Sequence, residues 1–151
     1  MADGDRLCTG WGGKTFGVVL YKISADGTLD GRWTIPGAGE AEGSEKAVGG
    51  KPGELEGKYS VKGTNPGGRG GYEGKLDIRK TGDTYQLRWT IPGSPSYGGV
   101  GLRVGDSLHV GWGIGKEPFA VISYAFKGES AEGIWTVGGA SRTAKENLNK
   151  N

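Results

Sequence analysis

Cysteine, histidine and methionine each occur only once among the 151 residues of this sequence. A single Cys cannot form an internal disulfide, and one Cys with one His is too small a set for a typical zinc site. The sequence has no apolar run of about 18 residues, which excludes a transmembrane helix. Its formal net charge of +2 is too small to indicate a polyanionic partner. No segment shows helical periodicity, so the all-α classes are excluded as well.

Glycine is the residue in excess, with 33 copies against only 6 prolines. The glycines follow no three-residue period, which excludes collagen. Together with Trp, Tyr, Val and Thr, this composition is typical of many short strands joined by tight turns.

Internal repetition predicts hairpins of one design. Arg32–Gly37 and Arg88–Gly93 are the same hexapeptide, and Ile134–Gly139 is a looser third copy. Each copy follows an apolar or alternating run and a turn that contains glycine, which is the signature of a β-hairpin.

A further match joins the two ends of the chain, since Leu7–Gly12 parallels Leu108–Gly113. This arrangement predicts that the first and last strands meet in a closed sheet. The fold class that we expect is all-β, a single antiparallel up-and-down barrel of roughly nine to eleven strands. One domain would cover residues 1–151, with internal repeats around 7–46, 55–113 and 108–146 and a polar tail at 145–151.

Alternation along the strands predicts which residues face the barrel interior. Leu29 and Trp33 share one face of their strand, as do Tyr85 and Trp89, while Arg and Thr take the other. A polar exterior argues against a barrel that spans a membrane, and inward rings argue against nucleic-acid binding. The rings either fill the barrel or line a cavity for a small apolar molecule or a glycan. The candidate ligand-binding residues are Trp11, Trp33, Trp89, Trp112, Trp135 and Tyr97.

Two strands, at residues 18–23 and 120–126, are apolar on both faces. One barrel interior needs only one of these faces, so the other is predicted to contact a protein partner or a second copy of the chain. The candidate partner-facing residues are Val19, Tyr21, Ile23, Ile122, Tyr124 and Phe126.

No constellation of catalytic or metal-binding residues is recognisable. Cys8 and His109 occupy equivalent repeat positions, but alternation puts both on the outer face, as ordinary surface residues. Asp30, Asp77 and Glu132 are likewise predicted to face outward and to make the exterior soluble. We therefore expect a protein that is not an enzyme, with no metal and no cofactor.

The stretch Tyr59–Gly68, with 72–74, 81–89 and 99–106, resembles uncharacterised bacterial glycine-rich repeat β-barrel proteins. Many of these look exported and some carry a fibronectin-binding label, so the resemblance implies a secreted or periplasmic location rather than a cytoplasmic one. Ala25–Gly31 resembles an avidin-like hairpin in style only. The resemblance brings no catalytic residue.

The expected function is a binding module for a small apolar molecule, a glycan or a protein surface. The alternative is a structural or accessory subunit that docks on an envelope or extracellular assembly through an apolar outer face.

Overall fold

The computed structural model describes residues 1–150 and is almost entirely antiparallel β-structure. The strands are β1 (Ala2–Asp3), β2 (Arg6–Gly12), β3 (Phe16–Ile23), β4 (Leu29–Thr34), β5 (Gly43–Val48), β6 (Gly57–Thr64), β7 (Gly71–Thr81), β8 (Thr84–Thr90), β9 (Tyr97–Val104), β10 (Ser107–Ile114), β11 (Phe119–Lys127), β12 (Ser130–Val137) and β13 (Ala144–Asn149). A single 3₁₀ turn at Pro66–Gly68 interrupts the connection between β6 and β7. Within the described residues, no helix is long and apolar enough to span a membrane.

Eight consecutive strands, β3 to β10, form a closed up-and-down barrel in which β10 pairs with β3. The predicted fold class, an all-β antiparallel barrel, is therefore confirmed, with eight strands in the barrel instead of nine to eleven. The three predicted hairpins are also present, as β3–β4, β7–β8 and β11–β12. Their turns contain Gly27, Gly82 and Gly128, each with the positive φ that such turns need and that glycine adopts without strain.

The other five strands form a second sheet, in the order β1-β2-β11-β12-β13, which we call the outer sheet. The prediction that the first and last strands close the barrel is wrong, since β1 and β13 are instead the two edges of the outer sheet. The predicted tail at 145–151 begins within β13, and residue 151 lies outside the described part of the chain.

The buried apolar residues form two clusters, one in the barrel interior and one between the barrel and the outer sheet. The interior cluster fills the end of the barrel where Leu29, Leu55, Tyr59 and Tyr85 meet. The second cluster joins the two sheets. Its buried members are Cys8, Val18, Leu20, Val100, Leu102 and Val121. Gly111 lets the sheets approach closely, because a Cβ at that position would collide with the backbone of Ala120.

The connection between β12 and β13 fastens the outer sheet to the barrel. The Thr84 hydroxyl donates to the carbonyl of Ala140 at 2.6 Å, and the backbone N–H of Gly139 donates to Gln86 Oε1 at 3.0 Å. These hydrogen bonds tie the outer sheet to strand β8.

The prediction that the side chains of Val19, Tyr21 and Ile23 point outward from β3 is wrong. Val19 and Tyr21 are buried in the barrel interior, and Ile23 packs against the same cluster. Their neighbours Val18 and Leu20 point outward instead, where the outer sheet covers them. Both faces of β3 are thus buried within one chain.

Candidate functional site

One end of the barrel is hollow and contains a cavity of about 550 Å³. Aromatic side chains from β3, β4 and β7 to β10 form most of its wall, with polar groups at a few points. The lining residues are Val19, Tyr21, Trp33, Glu45, Asn65, Gly71, Tyr72, Glu73, Trp89, Ile91, Pro92, Ser94, Tyr97 and Trp112. The connections β6–β7 and β8–β9 contribute to this list, so the cavity lies at the end of the barrel where these loops are.

The rings around the cavity contact one another edge to face. Trp33 lies between Tyr72 and Trp112, with ring centroids 6.2 Å and 6.0 Å apart. Trp112 in turn meets Tyr97 at 5.6 Å with perpendicular planes. This continuous arc of four rings is the geometry that aromatic pairs prefer, and it stabilises the wall in the absence of a ligand.

Glycines on the adjacent strands allow these rings to lie against the sheet. A Cβ on Gly43 would lie 2.5 Å from Trp33 Cε2, and one on Gly17 would lie 2.5 Å from Trp112 Cζ2. Gly63 bears the same relation to Tyr72. The rings therefore occupy the space that side chains would fill in an ordinary strand.

Glu45 is the one buried carboxylate of the barrel interior among the described residues. Its side chain accepts hydrogen bonds from three of the surrounding rings. The Tyr21 hydroxyl and Trp89 Nε1 (3.0 Å) donate to Oε1, and the Tyr72 hydroxyl donates to Oε2 at 2.7 Å. Burial, followed by the charge of Glu45, raises the pKa of both Tyr21 and Tyr72, so both phenols remain donors.

The charges on the cavity wall have one sign. Glu45 and Glu73 line it, whereas no Lys, Arg or His of residues 1–150 does. The cavity is therefore an aromatic chamber whose buried charge is the Glu45 carboxylate, because Glu73 is exposed and lies 3.5 Å from the ammonium of Lys62.

The structure divides the six predicted ligand-binding residues into two groups. Trp33, Trp89, Trp112 and Tyr97 line the cavity. Trp11 and Trp135 lie on the outer sheet, away from the cavity. Sequence reasoning missed Glu45, Tyr72 and the inward position of Tyr21. The one signal for Glu45 in the sequence is its position on the same face of β5 as the apolar Ala47, two residues further along.

Cys8 and His109 are buried between barrel and outer sheet, so the prediction that they are surface residues is wrong. Alternation placed them correctly outside the barrel, but the outer sheet covers that exterior. Burial raises the pKa of Cys8 to about 12, so this residue is a thiol at neutral pH and a poor nucleophile.

His109 contacts Asp3, whose carboxylate lies 3.1 Å from Nε2. Burial lowers the pKa of His109 in spite of this carboxylate. Burial raises the pKa of Asp3, but hydrogen bonds from Lys22 and His109 outweigh that effect and hold it well below its usual value. These residues link β1 to the barrel and form a structural contact.

In the part of the chain that the structure describes, no group of three or more His, Cys, Asp or Glu side chains is placed to hold a metal ion. The site is thus defined by its rings and by Glu45. No protein-family model matches this chain, nor does any curated protein or solved structure.

Proposed function

We propose that the protein is a binding module whose barrel cavity takes a small organic cation, such as a quaternary ammonium or alkylamine group with an apolar body. The observation that carries this proposal is the buried carboxylate of Glu45 within a wall of aromatic rings. The cavity volume of about 550 Å³ is in the range of small-molecule sites.

Cation binding follows from the electrostatics of the wall. The faces of Trp and Tyr rings attract cations, by about 0.5–2 kcal/mol for each well-placed ring. The buried carboxylate of Glu45 adds a favourable Coulomb interaction that is weakly screened inside the barrel. A neutral apolar ligand would gain the ring contacts but neither the cation–ring attraction nor the Coulomb interaction with Glu45.

A glycan fits the wall less well. Among the lining residues that the structure describes, the polar side chains outside the Trp and Tyr rings are Glu45, Asn65, Glu73 and Ser94. Glu45 already accepts three hydrogen bonds, which leaves few groups to satisfy the hydroxyls of a sugar.

The test compares wild-type protein with Glu45→Gln, using choline as the probe and tryptophan fluorescence as the signal. We expect the substitution to weaken choline binding by about tenfold or more, which corresponds to roughly 1.4 kcal/mol. Glu129→Gln, which removes an exposed carboxylate from the β11–β12 turn, is the matched control and should bind as wild type does. Equal affinity of wild type and Glu45→Gln for choline would overturn the proposal, as would the absence of any binding by wild type.

A further inference from the structure

Four strands of the outer sheet repeat one half of the barrel. The order β2-β11-β12-β13 matches β10-β3-β4-β5, and the registers agree. In the barrel, Gly31 pairs with Tyr21 on one side and with Glu45 on the other. In the outer sheet, Gly133 pairs with Tyr124 and with Glu146 in the same way.

Side-chain contacts match as well. The Tyr124 hydroxyl donates to Glu146 Oε2 at 2.6 Å, as the Tyr21 hydroxyl donates to Glu45. A Cβ on Gly133 would lie 2.7 Å from the ring of Tyr124, the same distance that separates a Cβ on Gly31 from the ring of Tyr21. The outer sheet is thus a half-barrel without its other half.

The face of this half-barrel that corresponds to a barrel interior is apolar and open to solvent. Trp11, Phe126 and Leu148 lie on it and are 46%, 50% and 47% exposed. These are three of the five large hydrophobic side chains that are exposed among residues 1–150. Ile122 and Tyr124 share the face, because they alternate along β11 with residues that point to the barrel. Trp135 shares it because it pairs with Ile122.

In the barrel, the equivalent face is covered by strands β6 to β9. Two of these, β7 and β8, form a hairpin of the repeated design, and the hexapeptide of β4, Arg32–Gly37, recurs as Arg88–Gly93 at β8, directly across the barrel. In this chain, four strands of the repeat thus already close a barrel against four strands that include the same repeated hairpin.

We propose that two copies of this chain close a second eight-stranded barrel, to which each contributes β2, β11, β12 and β13. Strand β13 of each copy would pair with β2 of the other around a two-fold axis. Both strands have backbone edges to offer. Strand β13 is exposed along its whole length. Residues 1–3 cover only Arg6–Cys8 of β2, which leaves the backbone edge of residues 9–12 open. Closure would remove both edges and bury the apolar face, which are the two liabilities of an open sheet.

The test measures molecular mass by sedimentation velocity from low to high micromolar concentration, for wild type and two double variants. We expect wild type to form a dimer with no larger species, because a two-fold interface closes on itself. Phe126→Lys with Leu148→Lys places charges on the open face and should yield a monomer. Ile35→Lys with Val48→Lys changes the other two exposed apolar residues, which lie on the barrel, and should remain dimeric.

Hydrogen exchange of the wild type gives a second readout that requires no substitution. Backbone amides of β13 should gain protection as the concentration rises through the dimerisation range, while those of β7 should not change. A wild type that remains monomeric, a dimer that Phe126→Lys with Leu148→Lys leaves intact, or unchanged exchange in β13 would each overturn the proposal.

Discussion

At the scale of single side chains, several glycines are explained by the aromatic rings that lie against them. Substituting Gly43 by Ala should destabilise the protein by roughly 1–3 kcal/mol, the usual cost of overpacking, because the new Cβ would collide with the Thr64 carbonyl and with the Trp33 ring. The free energy of unfolding in urea measures this cost. Gly98→Ala is the control, since the nearest atom to a Cβ there is 3.6 Å away, an ordinary contact. Equal losses for the two variants would show that the ring contact does not require glycine.

Glu45 also has a structural role, which a stability measurement separates from ligand binding. Glu45→Leu removes the acceptor of three hydrogen bonds and leaves buried donors on Tyr21, Tyr72 and Trp89 without a partner. We expect the free energy of unfolding to fall by about 2 kcal/mol or more, since each orphaned donor costs about 1–3 kcal/mol. Glu42→Leu changes an exposed carboxylate and should cost less than about 1 kcal/mol. If Glu45→Leu had the same free energy of unfolding as wild type, the hydrogen-bond network would not contribute to stability as we expect.

At the scale of strands, alternation predicted faces well wherever one face is polar. Leu29 and Trp33 on β4, and Tyr85 and Trp89 on β8, point into the barrel as predicted. The same rule failed on β3, where Val18 to Tyr21 are all apolar and the pattern does not distinguish inside from outside. Glu45 was missed for the opposite reason. A charged residue at an inward position is read as a surface residue unless the rings that bind it are known to converge on it.

The contact between barrel and outer sheet should be sensitive to acid through His109. Its pKa is lowered in the folded state, so below about pH 6.5, its ordinary value, the unfolded chain takes up the proton first. Protonation is disfavoured by burial, and Arg6 and the N-terminal ammonium add to that effect while Asp3 opposes it. Stability should therefore decrease from pH 7 towards pH 5.

Thermal unfolding of wild type and His109→Gln across this pH range tests that expectation. Glutamine cannot take up the proton, so the variant should be less stable at pH 7 but should lose less between pH 7 and pH 5. Asp3, whose lowered pKa stabilises the fold above its ordinary value of 3.8, loses this contribution only at pH values below the range tested. Parallel pH profiles for the two proteins would exclude His109 as the cause.

At the scale of the whole molecule, the sequence repeats predicted the hairpins but not how they are distributed. The match between Leu7–Gly12 and Leu108–Gly113 is real, and both segments are strands. They belong to different sheets because β10 pairs with β3 to close the barrel, which leaves β2 to pair with β11. A repeat reveals which strands are alike, whereas sheet closure depends on long-range pairing that a single sequence does not encode locally. The second apolar face that suggested a partner is, on β3, buried by the outer sheet.

We expect the barrel cavity to recognise positive charge on an apolar body. Calorimetric titration with choline and with its neutral isostere 3,3-dimethyl-1-butanol tests this most directly, because the two probes differ in charge and hardly in shape. We predict that choline binds at least about tenfold more tightly, as expected for a desolvated cation over several rings. Equal binding of the two probes, or tighter binding of the neutral one, would contradict the account.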